Sequence, residues 1–292
     1  MSDLMNSIKD LREMTGAGFL DCKKALEENN FDIDKSVIFL RKKGLAKANK
    51  KSSREAKEGA VGIYSNENII SIIQINTETD FAAKNNTFLN FMDKIGKFSI
   101  LKNDPNISLS DFNNLVFEES TISDHFKDII SKVGENIVLS KIIFIQINEK
   151  LMISSYIHNS YRKNIGKIAV VLKANVIENN EESKLLGKNL CMHIAASKPL
   201  ALDIDDLDDE LIKKEKEIQL ETIKSSGKPE NIIEKILEGK MKKFYGESTF
   251  LNQKYILDPD KSISEILTDF SKKNKFEILD YKLLILQSWC QM

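Results

Sequence analysis

Histidines, cysteines and paired acids are the residues of this chain that could carry chemistry, and their spacing argues against it. His125, His158 and His193 lie far apart, and none has metal-ligand spacing to another histidine. Cys191-Met192-His193 could hold a metal only with ligands from elsewhere; its surroundings read as a helix packing on a sheet. There is no Gly-x-x-x-x-Gly-Lys-Ser/Thr phosphate loop, no dinucleotide fingerprint and no nucleophile-elbow serine. Asp205-Asp206 and Asp208-Asp209 stand in a solvated acidic run, without the apolar surroundings that raise a carboxyl pKa. The expectation is a non-enzyme with no catalytic residues, no metal ligands and no cofactor.

The informative stretch is Thr77-Glu78-Thr79-Asp80-Phe81-Ala82-Ala83-Lys84-Asn85. The apolar run Ile69 to Ile75 before it reads as a strand. Phe88, Phe91, Met92 and Ile95 after it fall on one face of a helix. Phe81 thus sits beside an acid on the polar joint between two elements, where a core aromatic is not expected. Thr79 and Asp80 are capping-type residues that fix a helix start and hold the ring still. A rigid Phe beside a carboxylate suits insertion into a partner better than catalysis. The bland alternative is a hydrophobic staple closing the helix start.

The flanking elements read as follows. Ile8 and Leu11 lie in a first helix, Thr15-Gly16-Ala17-Gly18 breaks it, and Leu20 to Leu26 form a second. Asp32 caps a third, with Val37, Ile38 and Leu40 facing inward and Gly44 stopping it. Lys42 to Lys57 is a basic joint, read as a linker or exposed helix. Gly59 to Tyr64 and Ile69 to Asn76 flank a polar turn as a hairpin. Leu109 to Val133 is expected to be helical and Ile137 to Ile147 a strand. Met152 to His158, the turn at Tyr161 to Asn164, Ile165 to Leu172 and a helix from Glu182 to Ala196 repeat the order strand, turn, strand, helix, which suggests two similar halves. Pro199 ends that helix. Two helices through Lys224 and from Asn231 to Lys243, joined at Ser225-Ser226-Gly227-Lys228-Pro229, make an antiparallel hairpin whose polar first helix should project. A helix around Ile263 to Phe270 and a strand-like run from Phe276 to Gln287 finish the chain.

The 292 residues suffice for two or three domains. A balance of 43 basic against 44 acidic residues argues against nucleic-acid binding by net field alone. No apolar run approaches the ~20 residues that span a bilayer. Met1 to Asp10 resembles neither a secretory signal nor a transit peptide. Cys22, Cys191 and Cys290 are distant and odd in number, which fits a reducing cytoplasm.

Four segments together resemble one family. They are Leu11-Arg12-Glu13-Met14-Thr15-Gly16-Ala17-Gly18-Phe19-Leu20-Asp21-Cys22-Lys23-Lys24-Ala25-Leu26, Thr79 to Asn85, His193-Ile194-Ala195-Ala196-Ser197-Lys198-Pro199, and Ser226 to Pro229 with Gly239 to Phe244. They resemble, in order, bacterial translation elongation factor Ts, the guanine-nucleotide exchange factor for elongation factor Tu. The resemblance implies an α+β protein with an N-terminal three-helix ubiquitin-associated-like domain, a two-part α+β core with antiparallel sheets, and a projecting antiparallel helical hairpin. The implied division is 1–54 for the helical domain and basic linker, 55–148 for the first core part, 149–198 with 240–292 for the second, and 199–239 for the hairpin. It implies docking on the G domain of elongation factor Tu through Leu11, Arg12, Thr15, Gly16, Gly18, Cys22 and Lys23. Thr79, Asp80, Phe81 and Ala82 would disturb the partner's Mg²⁺ site so that GDP leaves. His193, Ala195, Ser197 and Pro199 form the second core motif, read as mainly structural. The implied partner is elongation factor Tu, GDP-bound or nucleotide-free, in a heterodimer or heterotetramer in the cytoplasm, with no direct nucleic acid and no membrane. One departure is the end: the family has a C-terminal helical module, whereas Leu279 to Met292, with Leu283, Leu284, Ile285, Leu286 and Trp289, is short, apolar and expected to pack on the core. The competing readings are an RNA-binding protein acting through Lys42 to Lys57, which lacks base-stacking aromatics, and an adaptor that binds without changing nucleotide affinity.

Overall fold

Paired glycines interrupt the first apolar-periodic stretch and set the start of the architecture. The computed structural model describes residues 2–102, 104–148, 151–226 and 229–286. Gly227 and Lys228 of the anticipated turn, and the tail from 287 with Trp289 and Cys290, lie outside the described residues. The chain divides into two compact units: residues 1–147 with 159–168 and 284–292, and residues 148–158 with 169–283.

The first unit begins with α1 (Ser2–Thr15), α2 (Phe19–Glu28) and α3 (Ile33–Lys51). The Thr15 hydroxyl donates to Leu11 O at 2.6 Å, and Gly16 takes φ +67°, which ends α1. Asp32 caps α3 by accepting from the Lys35 N–H at 2.9 Å. Ile8, Leu11, Cys22, Ala25, Leu26 and Leu40 form the small core these helices share. Two expectations fail here. Ile38 faces outward, 55% exposed. Gly44 does not stop α3, which runs on to Lys51 and takes up the first part of the basic joint. The reason is packing: a Cβ at Gly44 would stand 2.7 Å from Ser131 Oγ. Close approach of a neighbouring helix therefore outweighs the ~1 kcal/mol that a mid-helix glycine costs.

Next come β1 (Glu58–Ser65) and β2 (Ile69–Thr77), an antiparallel hairpin in register from Glu58 opposite Thr77 to Ser65 opposite Ile70. α4 (Asp80–Ala83) and α5 (Asn86–Lys102) follow. The stretch expected to be one helix from Leu109 is instead α6 (Leu109–Asn114), a two-residue hairpin of β3 (Val116–Phe117) and β4 (Ser120–Thr121), and α7 (Ile122–Val133). Glu118, at φ +55°, makes that tight turn, and the Thr121 hydroxyl caps α7. β5 (Ile137–Gln146) pairs with β2. After β6 (Leu151–His158), which belongs to the second unit, β7 (Ile165–Gly166) returns to the first and pairs with β1. The antiparallel sheet β5-β2-β1-β7 carries Ile73, Ile75, Phe88, Met92, Ile95, Phe112, Ile122 and Phe126 in one core.

The second unit holds a three-stranded sheet in the order β11-β8-β6, with β8 (Ile168–Val176) central. The single strand expected from Ile165 to Leu172 is thus split at Lys167 between two sheets. α8 (Glu181–Ser197) packs on β6. Gly187 permits this, because a Cβ there would stand 2.1 Å from Ser154 Oγ. α9 (Asp209–Ser225) buries only Ile223 and pairs with α10 (Glu230–Ser248), where Lys240 Nζ donates to Gln219 Oε1 at 2.7 Å. α10 continues past Lys243 to Ser248. The ends of this helix pair are joined by Leu200 N–H donating to Ser248 O at 2.8 Å. β9 (Lys254–Tyr255), β10 (Asp258–Ser262), α11 (Ile263–Ser271) and β11 (Phe276–Ile285) complete the chain. Of the apolar tail, Leu284 and Leu286 are buried. Among the described residues no helix is long and apolar enough to cross a membrane.

Candidate partner-binding site

The turn after β2 is built from its own side chains. Thr79 is extended, at φ −127° and ψ 159°, and its hydroxyl accepts from the Ala82 N–H at 3.2 Å. Thr79 O accepts from the Ala83 N–H, also at 3.2 Å. The Thr77 hydroxyl donates to the same carbonyl at 2.7 Å. Ala82 and Ala83 are buried beneath the turn. Phe81 points the other way and is 83% exposed. The staple alternative fails on that number, since a staple ring is covered by its own helix.

Thr79 alone caps this turn. Asp80 is the first helical residue, and its carboxylate accepts from Lys84 Nζ at 2.8 Å. That hydrogen bond holds the Asp80 carboxyl below its ordinary range and raises the Lys84 ammonium above its own. The anticipated single helix is two: Asn85 N–H closes back on Ala82 O, and α5 starts at Asn86. The break confines Phe81 to a four-residue turn instead of a long helix face.

A group missed in the sequence supports the turn from outside. Glu135 accepts from the Thr79 N–H at 2.9 Å and from the Thr79 hydroxyl at 2.7 Å. Glu78 accepts in return from the Asn136 N–H at 2.6 Å. Fifty-six residues separate Glu135 from Thr79, and no periodicity links them.

The N-terminal residues fall into two classes. Leu11 and Cys22 are fully buried, and burial pushes the Cys22 thiol up. They present no surface to a partner; they hold the break in place, with the Cys22 thiol 3.6 Å from Ala17 O. Arg12, Gly16 and Gly18 are exposed, while Thr15 and Lys23 are half-buried. Beside them Met14, Phe19 and Leu20 are exposed apolar side chains, Leu20 by 77%. An open cleft of about 510 Å³ adjoins this turn, with Thr15, Gly18, Arg41, His125 and Lys132 in its walls.

The His193 motif is architecture of the second unit. His193 is fully buried; its Nε2 lies 3.0 Å from Gln253 Oε1, and its Nδ1 accepts from the Ile256 N–H at 3.3 Å. Gln253 donates its amide to Glu247 O at 2.7 Å, so its oxygen faces the ring and Nε2 carries the proton. This neutral tautomer leaves no nitrogen for a metal. Burial lowers the His193 pKa and pushes the Cys191 thiol up to about 12. Ala195 is buried, Ser197 is half-buried in the last turn of α8, Lys198 is left-handed at φ +47°, and Pro199 O accepts from the Tyr281 hydroxyl at 2.8 Å.

Comparison with known proteins agrees along the chain. The profile of a family described as Elongation factor TS matches residues 78–284. An elongation factor Ts of Bartonella henselae is 38% identical over 272 residues, covering 93% of this chain and 88% of that one. Elongation factor Ts of Brucella anthropi is 36% identical over 272 residues, with the same coverage. Elongation factor Ts of Sinorhizobium fredii is 36% identical over 265 residues, covering 91% and 86%. With the profile matching from Glu78 through Leu284 and relatives more than a third identical over nine-tenths of its length, this chain belongs to the elongation factor Ts family of translation elongation factors.

Proposed function

We propose that this chain is a guanine-nucleotide exchange factor for elongation factor Tu and performs no bond-making chemistry itself. The observation that carries the reading is Phe81, exposed on a turn whose backbone is held by Thr79, Thr77 and Glu135. A ring fixed in this way enters a partner without a large loss of side-chain freedom. In this reading Arg12, Thr15, Gly16, Gly18 and Lys23 dock the N-terminal helices on the partner's G domain. Leu11 and Cys22 shape that surface from beneath. Phe81 then wedges beside the Mg²⁺ site, the metal contacts loosen, and GDP leaves. Ala82, buried, seats the turn, and Asp80 trades Lys84 for a group of the partner. Residues 1–54, 55–148, 149–198 with 240–292, and the hairpin 199–239 act as separate contact regions in a heterodimer or heterotetramer in the cytoplasm.

The RNA-binding alternative loses support because the basic joint is largely engaged. Lys43 pairs with Asp21 at 2.8 Å, Arg54 with Glu78 at 3.5 Å and Lys57 with Glu55 at 2.6 Å, while Lys51 donates to Gly134 O. The deciding experiment is release of fluorescent GDP from elongation factor Tu with substoichiometric amounts of this chain. Accelerated, multiple-turnover release is expected. Stable complex formation without acceleration would leave an adaptor and overturn the proposal.

A further inference from the structure

Gly134-Glu135-Asn136, between α7 and β5, makes more long-range hydrogen bonds than a connecting turn requires. Gly134 ends α7 at φ +88°. Glu135 places one carboxylate oxygen on the Thr79 N–H and the other on the Thr79 hydroxyl. Glu78, the residue before Thr79, takes the Asn136 N–H. The two dipeptides 78–79 and 135–136 thus hold each other through crossed carboxylate-to-backbone bonds. Asn136 is buried, and its amide donates to Arg54 O at 2.6 Å. Arg54 lies 3.5 Å from Glu78. The turn carrying Phe81 and the segment leaving α3 therefore share one anchor.

This arrangement matters because the Phe81 ring is exposed and takes its direction from the backbone of the turn. Thr79 is exposed, and a cap on a four-residue helix frays unless something outside fixes it. Glu135 supplies that: a carboxylate acceptor on both donors of the cap residue, the N–H and the hydroxyl that itself holds the Ala82 N–H. With Glu135 in place, the hydroxyl donates to the carboxylate and is free to accept from Ala82. Without it, Thr79 is held from outside the turn only at its carbonyl, by the Thr77 hydroxyl, and its N–H loses its acceptor, so the direction of the finger is less tightly fixed.

We propose that Glu135 is a positioning residue for nucleotide exchange, aiming the Phe81 finger through Thr79; this rests on the exchange reading above. Glu135 touches neither nucleotide nor metal in this role. Its removal therefore lowers the rate of the bound complex and leaves the strength of docking alone.

The test uses the full-length chain with Glu135→Ala and Glu135→Gln. Amide hydrogen exchange of the free protein is expected to quicken about tenfold at Thr79, Ala82 and Ala83 in Glu135→Ala, equivalent to about 1.4 kcal/mol, with β1 and β2 unchanged. The saturating rate of fluorescent GDP release should fall by a similar factor, with the half-saturating concentration unchanged. Glu135→Gln, which keeps its size and one acceptor oxygen, should lie between; it carries the comparison if Glu135→Ala lowers the thermal midpoint. Unchanged amide exchange, or quickened exchange with an unchanged release rate, would overturn the inference. If the wild-type chain itself fails to speed release, it is the exchange reading that has failed, and the positioning role falls with it.

Discussion

Replacing Phe81 with alanine separates what the ring does in the free protein from what it does in a complex. At 83% exposure the side chain contributes almost nothing to folding, so Phe81→Ala should leave the thermal midpoint within a degree or so. Fully burying a Phe gains about 1.5–3 kcal/mol, and 83% of that is about 1.2–2.5 kcal/mol. If this gain is realised only when GDP is leaving, the release rate at saturation falls by about seven- to sixtyfold. In the proposed function docking runs through the N-terminal helices, separately from the ring, so the half-saturating concentration should change little. The assay is stopped-flow release of fluorescent GDP from elongation factor Tu, titrated with wild-type or variant chain. A variant with undiminished saturating rate would refute the wedge. A variant that raises the half-saturating concentration at constant rate would make Phe81 a docking contact instead.

Further tests address the frame and the coupling. Gly187→Ala should destabilise the second unit by about 1–3 kcal/mol, because its Cβ meets Ser154 Oγ at 2.1 Å. Adding Ser154→Ala removes that oxygen and should recover part of the loss in a denaturant titration, with Met152 Cε still 2.8 Å from the new Cβ. His193 is kept neutral by burial, so the unfolded chain takes up a proton below about pH 6.5 that the folded one refuses. Stability should therefore fall as pH drops through that range, by at most about 1.4 kcal/mol per unit, and His193→Gln should flatten the slope. Equilibrium coupling is reciprocal, so saturating GDP should weaken binding of this chain to its partner by the factor by which this chain weakens GDP, which calorimetry of the two complexes can measure.

The sequence was most readable where a single residue type decides local geometry. Thr79 as cap, Asp32 as cap, the Gly16 break and Pro199 beyond α8 all follow from backbone chemistry within a turn of the residue concerned. The exposure of Phe81 followed from the mismatch between a large ring and a polar joint. The failures share a different cause. Gly44 reads as a stop in isolation and is a point of close packing in the fold. Leu109 to Val133 has helical periodicity at both ends, but Glu118 in a left-handed conformation turns the middle back. Ile165 to Leu172 is one apolar run that serves two sheets. Leu11 and Cys22, read in the sequence together with exposed neighbours as docking residues, are both buried in the helical core, which the motif alone does not reveal. Glu135 was silent because its partner is fifty-six residues away and an isolated acid after a glycine carries no pattern.

Gly44 also sets how closely the N-terminal helices sit on α7. From it, α3 extends eleven residues back to Ile33, about 16 Å at the helical rise, and α1 and α2 ride on that arm. A side chain at Gly44 would press first on Ser131 of α7, so α3 and α7 could no longer approach as closely as they do. A single methyl group there would thus act on the seam between the helical arm and the sheet-bearing core without touching any residue the arm exposes.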